Sequence, residues 1–236
     1  MNIIVTGASR GIGYELVKLL SAGAGNTVIA IARSAEKLEQ LKRDCLSVND
    51  ASDVIPVVCD LNDEQAVSAL PAMISRYVPV INILINNAGA IVNKPFMDIT
   101  SADLQKVYTV NVFSTVRLIQ QVIPLMDKKQ RSHIINISSM GGYQGSAKFA
   151  GLSAYSSSKA ALACLTECLA EEFKDSAISF NCLALGAAQT EMLEEAFPGY
   201  IAPLSALQMA TFIADFSLTA HNFMNGKIVP VSMSTP

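Results

Sequence analysis

Short apolar runs alternate along the whole chain with longer segments of helical periodicity. Seven of the runs are predicted to form strands, at Asn2–Thr6, Thr27–Ala32, Val54–Cys59, Val80–Asn86, Ser132–Ser138, Ala177–Leu185 and Lys227–Val231. Between them, apolar residues recur three and four positions apart, which predicts helices that bury one face. Strands that alternate with helices of this length are typical of βαβ units, and therefore of a parallel sheet with right-handed crossovers.

The predicted helices follow the strands in turn. They lie around Leu16–Leu20 and at Ala35–Leu46, Asp63–Tyr77, Ser101–Met126, Ala154–Lys174 and Leu204–Thr219. Apolar runs as continuous as these indicate strands that helices cover on both faces. The 236 residues show no break in composition, so we expect a single domain over residues 1–236. The pattern predicts a doubly wound α/β sheet, which binds ligands beyond the carboxyl ends of its strands.

Composition and charge exclude several classes of function. The formal net charge is −3 with both signs interspersed, so we expect no nucleic-acid partner. The longest uncharged stretch, Tyr77–Asn93, is broken by Pro79, Asn82, Asn86 and Asn87, which predicts no membrane-spanning helix. We also find no signal-peptide pattern. The 5 cysteines are an odd number without metal-ligand spacing, which predicts reduced thiols, no metal site and a cytoplasmic protein.

The turn after the first strand is rich in glycine and reads Thr6-Gly7-Ala8-Ser9-Arg10-Gly11-Ile12-Gly13. Glycine permits a tight turn and lets the backbone approach a pyrophosphate, which then lies at the N-terminus of the helix. A purely structural turn is the alternative, but the position between a first strand and a helix favours a Rossmann-type dinucleotide site. The predicted cofactor-binding residues here are Gly7, Ser9, Arg10, Gly11, Ile12 and Gly13.

The charges near the second strand indicate which dinucleotide binds. A site selective for NAD usually places an acidic residue at the end of that strand, on the adenosine ribose. Here the strand ends Ile31-Ala32-Arg33-Ser34 without a carboxylate. Arg33 and Arg10 could bind a 2′-phosphate instead, since the planar guanidinium donates several hydrogen bonds. Both arginines could also be ordinary surface charges. The sequence favours NADP(H) over NAD(H).

Tyr155 and Lys159 are the candidate catalytic pair. They are four residues apart at the start of a predicted helix, so they share one helix face. An ammonium beside a phenol favours the phenolate and lowers the phenol pKa, which would make Tyr155 a general acid–base. The nearby hydroxyl of Ser139 could hydrogen-bond the same substrate oxygen. The alternatives are a helix-start aromatic residue, a solvated lysine and a turn-capping serine.

These motifs together resemble the short-chain dehydrogenase/reductase family, in its single-domain branch. The glycine-rich turn, Asn86-Asn87-Ala88-Gly89, the serine at the end of the fifth strand and Tyr-x-x-x-Lys occur in the family's order. The resemblance implies that Tyr155 is the acid–base and that Ser139 orients the substrate oxygen. It also implies that Lys159 binds the nicotinamide ribose, and that Asn111 holds a water that links Lys159 to solvent.

The resemblance implies further cofactor contacts. Asp60 and Leu61 would flank the adenine, although Asp60 could alternatively cap the following helix. Gly186 would let the backbone approach the nicotinamide, even though Leu185 replaces the family's usual proline. The remaining implied contacts are Asn87, Ala88, Gly89 and Thr190.

The implied activity is hydride transfer between NADP(H) and a carbonyl or alcohol, with carbonyl reduction as the favoured direction. Three loops are expected to form the substrate cleft, Ala90–Ile99, Met140–Leu152 and Ala187–Pro203. Their apolar residues favour an uncharged carbonyl compound. These residues are Ile91, Phe96, Met97, Met140, Tyr143, Phe149, Leu152, Met192, Leu193, Phe197 and Tyr200. The alternatives are a 3-oxoacyl thioester reductase and, in another class, a non-catalytic NADP-binding sensor. The resemblance also implies a homodimer or homotetramer built through Ser101–Met126 and Ala154–Lys174.

Overall fold

A computed structural model describes residues 1–233, so residues 234–236 of the expected domain lie outside the described part. The strands are β1 (Asn2–Thr6), β2 (Thr27–Ala32), β3 (Asp53–Val58), β4 (Ile83–Asn86), β5 (Ser132–Ser139), β6 (Ile178–Leu185), β7 (Ala188–Gln189), β8 (Leu204–Ser205) and β9 (Lys227–Val231). The helices are α1 (Gly11–Ser21), α2 (Ala35–Val48), α3 (Glu64–Ile74), α4 (Ser101–Tyr108), α5 (Ser114–Val122), α6 (Ser153–Glu172), α7 (Glu191–Ala196) and α8 (Ala206–Thr219).

The central sheet has seven parallel strands in the order β3-β2-β1-β4-β5-β6-β9. The chain moves outwards from β1 to β3 on one side and then crosses back to place β4 on the other side of β1. The strand order therefore reverses between β1 and β4, and a doubly wound sheet opens a crevice at such a point. The predicted fold class is confirmed.

Helices cover both faces of the sheet and bury two separate apolar layers. Because successive strand residues point to opposite faces, Ile3 and Val5 pack in one layer and Ile4 packs in the other. The first layer includes residues of α1, α2 and α8, and the second includes residues of α3, α5 and α6. Within residues 1–233, none of the helices combines the length and the apolar character that crossing a membrane requires.

The fourth strand is shorter than the predicted Val80–Asn86 and begins at Ile83. Before that point Ile81 pairs with the segment that follows α5. It forms an isolated bridge with Met126, and its N–H donates to the carbonyl of Leu125 at 2.8 Å. The apolar run therefore joins the sheet three residues later than its composition indicated.

The predicted helix Ser101–Met126 is interrupted. Between α4 and α5 the backbone forms a π-helical turn at Thr109–Phe113, and after α5 a short 3-10 turn at Ile123–Leu125 contains Pro124. A π-turn widens the helix by one residue and often marks a functional position. The apolar spacing continues through the turn, so the sequence did not reveal the interruption.

The segment Ala187–Pro203, expected as a loop, contains β7 and the short helix α7. Thr190 caps α7 by accepting a hydrogen bond from the N–H of Leu193 at 3.2 Å. The next helix, predicted from Leu204, begins two residues later because β8 pairs with β7 and Ser205 forms a capping box with Gln208. The structure thus places a helix over the carboxyl ends of the strands.

Candidate active site

A cleft of about 590 Å³ lies beyond the carboxyl ends of the sheet strands. It brings together residues that are widely separated in sequence, from the first turn to the segment after β6. The predicted site residues that line it are Gly7, Ser9, Arg10, Gly11, Ile12, Arg33, Asp60, Leu61, Asn87, Ala88, Gly89, Ser139, Tyr155, Lys159, Gly186 and Thr190. Gly13 and Asn111 do not line it and lie behind its wall.

The glycine-rich turn has the geometry that a pyrophosphate requires. Gly7 and Gly11 adopt φ of 67° and 57°, a region that residues with a Cβ rarely occupy. A Cβ on Gly13 would meet the carbonyl oxygen of Gly7 and would lie 2.6 Å from the side-chain nitrogen of Asn87. In the described part of the chain, residues 1–233, no side chain caps the N-terminus of α1. Its first N–H groups and the helix dipole therefore suit an anion, and the turn fits a nicotinamide dinucleotide.

Thr6 fixes this turn to the Asn-Asn-Ala-Gly segment, a role that sequence reasoning missed. Its buried hydroxyl accepts hydrogen bonds from the N–H groups of Asn87 and Ala88, both at 3.0 Å. The side-chain nitrogen of Asn87 donates to the carbonyl of Thr6, also at 3.0 Å. The signal available in the sequence was a threonine immediately before the first glycine, at the end of a buried strand.

The end of the cleft beside β2 carries the two predicted arginines. Arg33 is exposed at the end of β2 and lines the cleft without an acidic residue beside it in the strand. Arg10 instead donates from Nη1 to the carboxylate of Glu195 on α7, at 2.6 Å. Asp60 is exposed and does not cap α3, since Asp63 holds that position by accepting from the N–H groups at the helix start. The capping alternative for Asp60 is therefore wrong.

Ser139, Tyr155 and Lys159 meet at the centre of the cleft. Ser139 ends β5, where its hydroxyl accepts from the N–H of Gly141 at 3.2 Å. Lys159 is only 3% exposed, and its ammonium donates to the carbonyl of Ile137 at 2.7 Å. The ammonium nitrogen lies 5.9 Å from the centroid of the Tyr155 ring. α6 thus places both side chains of the pair on its sheet-facing side, as the spacing predicted.

Burial governs the protonation of both groups. It raises the pKa of Tyr155, and the interaction with Ser139 only partly opposes that rise. The expected lowering of the Tyr155 pKa by Lys159 is therefore not the dominant effect. Burial also lowers the pKa of Lys159 to about 8. In the protein without cofactor, the phenol is a proton donor and the lysine titrates close to physiological pH.

Asn111 is fully buried on the π-helical turn, and its amide joins three parts of the site. Its oxygen accepts from the N–H of Ala90 at 2.8 Å, and its nitrogen donates to the carbonyl of Ala90 and to the hydroxyl of Ser158, both at 2.9 Å. Ser158 in turn donates to the carbonyl of Tyr155 at 2.7 Å. The water-holding role stays a prediction. Ser158, missed by sequence reasoning, stands inside the Tyr-Ser-Ser-Ser-Lys motif.

The substrate end of the cleft is largely apolar. The side chains that line it come from all three predicted segments: Ile91, Met140, Phe149, Leu152, Met192, Leu193, Phe197 and Tyr200. Phe96, Met97 and Tyr143 were expected there as well, but they do not line the cleft. Phe96 and Met97 lie on the short 3-10 turn Phe96–Asp98 and are 75% and 88% exposed.

The fold and the glycine-rich turn together define an α/β domain of the dinucleotide-binding class. Residues 1–200 match the family described as short chain dehydrogenase, and the chain belongs to the short-chain dehydrogenase/reductase family. These oxidoreductases bind nicotinamide cofactors, act on small-molecule CH–OH or C=O groups and commonly form oligomers.

Curated relatives carry reductase names. The chain is 34% identical to a fatty acyl-CoA reductase of Acinetobacter baylyi over 80% of its own length, and it spans 63% of that relative. It is 30% identical to a chloroplastic tropinone reductase homolog of Arabidopsis thaliana, over 98% of this chain and 74% of the relative.

Solved structures share the fold over nearly the whole chain. The Pseudomonas aeruginosa RhlG/NADP active-site complex superposes with a TM-score of 0.84 at 27% identity, and covers 98% of this chain and 94% of that one. Levodione reductase gives a TM-score of 0.87 at 24% identity, over 98% and 95% of the two chains. The second likeness concerns the fold alone.

Proposed function

We propose that the protein is an NADP(H)-dependent carbonyl reductase. The observation that carries the proposal is the single cleft in which an uncapped helix N-terminus lies beside Ser139, Tyr155 and Lys159. NADP(H) is preferred over NAD(H) because Arg33 lines the adenosine end and the end of β2, Ile31-Ala32-Arg33-Ser34, carries no carboxylate. The RhlG structure, which contains NADP, agrees with this preference by analogy.

The residues of the cleft would each have a separate role in the reaction. Bound NADPH supplies the hydride, and Gly7, Gly11 and the first turn of α1 would hold its pyrophosphate. Tyr155, kept protonated by burial, would donate its phenolic proton to the substrate oxygen as charge develops there. The hydroxyl of Ser139 would hydrogen-bond the same oxygen. Lys159 would bind the nicotinamide ribose.

The test is oxidation of NADPH, followed at about 340 nm, against a panel of apolar ketones and aldehydes. NADH is run in parallel, and Tyr155→Phe is the matched variant because it removes only the phenolic oxygen. We expect turnover with NADPH that the variant loses by about a hundred-fold or more. Turnover with NADH alone would refute the cofactor preference. Equal rates for both chains would remove Tyr155 from the mechanism.

A 3-oxoacyl thioester reductase is the second candidate. The apolar walls of the cleft favour an acyl chain, and one relative, from a Nostoc species and 30% identical over 78% of this chain, is named a ketoacyl reductase. The acidic residues Glu191, Glu194 and Glu195 on α7 argue against docking of an acidic carrier protein. A 3-oxoacyl thioester of a small thiol, added to the panel, separates this function from reduction of simple ketones.

The non-catalytic sensor remains the contrasting class. It would bind NADPH and reduce none of the panel, although Tyr155, Lys159 and Ser139 are all retained in the cleft. We also propose a cytoplasmic homodimer or homotetramer, since family members commonly form oligomers. Light scattering coupled to size-exclusion chromatography would give the number of subunits.

A further inference from the structure

The helix α7 is fastened across the mouth of the cleft by two contacts. On the nucleotide side, the carboxylate of Glu195 accepts from Nη1 of Arg10 at 2.6 Å. On the substrate side, the side-chain nitrogen of Asn93 donates to the carbonyl of Ala196 at 2.9 Å. Arg10 directly precedes α1 in the glycine-rich turn. The first contact therefore joins the helix above the cleft to the loop that would bind the dinucleotide.

Three cations act on the Glu195 carboxylate, one by direct contact and two through their charge. The pKa of Glu195 is lowered by its hydrogen bond with Arg10 and, more weakly, by the charges of Lys106 and Lys37. Conversely, the hydrogen bond with Glu195 raises the pKa of Arg10, and the charge of Glu191 adds to that effect. Arg10 and Lys106 line the cleft, and Lys37 lies in the first turn of α2. In this arrangement the carboxylate of Glu195 is already paired with the Arg10 guanidinium, to which an anionic ligand would otherwise bind.

We infer that Glu195 is a specificity-determining residue that weakens the preference of this site for NADP(H) over NAD(H). The inference rests on the proposed function. A 2′-phosphate that binds Arg10 must replace the carboxylate or share the guanidinium with it, and two anions at one cation repel each other. A nucleotide without the 2′-phosphate gains little from Arg10, so Glu195 affects it much less.

The expected size of the effect follows from the exposure of the pair. The side chains of Arg10 and Glu195 are 39% and 63% exposed, so solvent screens their interaction. We therefore expect Glu195→Gln to tighten NADP⁺ binding by about three- to five-fold and to leave NAD⁺ binding within about two-fold. Glutamine keeps the shape and the oxygen acceptor of the side chain but removes its charge.

The test is isothermal titration calorimetry of the full chain with NADP⁺ and NAD⁺. Glu194→Gln is the matched control, because it removes one charge from the same helix while its oxygen contacts the N–H of Gly199 instead of Arg10. We expect the ratio of the two dissociation constants to change in Glu195→Gln and to stay constant in Glu194→Gln. In an Arg10→Met background, Glu195→Gln should bring no gain.

Two results on the Glu195→Gln variant would overturn the inference: an unchanged ratio of the two dissociation constants, or an equal change in both constants. The same gain in NADP⁺ affinity in the Arg10→Met background would overturn it as well. Each result would mean that Glu195 only holds α7 in place. Because the readout is binding, it does not depend on turnover. A chain that binds both nucleotides and reduces nothing would refute the reductase and leave Glu195 testable.

Discussion

At the scale of single residues, Lys159 is the group with the most unusual chemistry. A lysine in water holds its proton far above neutral pH, but burial lowers the pKa of this one to about 8. Within residues 1–233, the carbonyl of Ile137 is the one group that accepts a hydrogen bond from its ammonium. Tyr155 changes in the opposite sense, because burial raises the pKa of its phenol. In the protein without cofactor, Lys159 is thus the first of the two to lose its proton as pH rises.

We expect the rate of carbonyl reduction to fall as pH rises through about 8, because the Lys159 ammonium is lost there while Tyr155 keeps its proton. Lys159→Arg keeps a positive charge at every accessible pH, so its profile should lack this descending limb even if the variant is slower. The measurement is kcat/KM from about pH 6 to about pH 10 for both chains. The same descending limb in both chains would assign it to another group.

At the scale of elements, the π-helical turn between α4 and α5 connects three segments of the site through Asn111. Its amide bonds to both backbone groups of Ala90, in the loop after β4, and to Ser158 on α6. Each residue of a regular α-helix turns the backbone by about 100°. The extra residue of the π-turn therefore changes the direction in which the Asn111 side chain points. The Asn111 side chain thus holds together the π-helical turn, the loop after β4 and α6.

Asn111→Ala should lower the free energy of unfolding by about 1–3 kcal/mol, because it leaves the N–H and C=O of Ala90 without these partners. Since Ala90 follows the Asn-Asn-Ala-Gly segment, kcat should also fall, by about ten-fold. Ser158→Ala is the matched comparison, since it removes one contact of Asn111 and keeps both bonds to Ala90. Urea unfolding and steady-state kinetics measure the two effects. Equal losses in both variants would contradict the central role of the Ala90 contacts.

At the scale of the whole molecule, the sequence predicted those features that are visible as patterns of neighbouring residues. The sheet, the glycine-rich turn and the Tyr155–Lys159 pair each depend on spacing within one segment. It did not predict contacts that depend on tertiary proximity. Asn87 and Thr6 are 81 positions apart, and Arg10 and Glu195 are 185 apart. It also missed the π-turn, because the apolar stripe of α4 and α5 continues through it.

A buried histidine lies at the opposite end of β5 from the active site. His133 is fully buried, about 20 Å along the strand from Ser139. One ring nitrogen contacts the carbonyl of Ser217 and the other contacts the side-chain nitrogen of Asn181, both at 3.0 Å. The amide of Asn181 cannot reverse, since its oxygen accepts from the N–H of Lys227 at 3.0 Å. A protonated imidazole would place one donor against another.

The pKa of His133 is accordingly lowered to about 4, by burial first and also by the charge of neighbouring His221. The unfolded chain binds this proton below about pH 6.5, and the folded chain does not until about pH 4. Protons therefore favour unfolding between these values. The stability that His133 contributes is complete above pH 6.5 and falls with pH, by about 3 kcal/mol in all at 1.4 kcal/mol per unit.

We expect the free energy of urea unfolding to decrease steadily from about pH 6.5 to about pH 4, before the low-pKa carboxylates such as Asp103 take up protons. His133→Gln retains a polar side chain that does not titrate. It should therefore be less stable than the wild type at neutral pH and lose less stability on acidification. Burial and the charge of Arg131 lower the pKa of His221, which contributes in the same direction, so His221→Gln should also make the stability less dependent on pH. If the free energy of unfolding falls equally steeply with pH in the wild type and in His133→Gln, His133 does not govern acid stability. Acid stability would then depend on carboxylates alone.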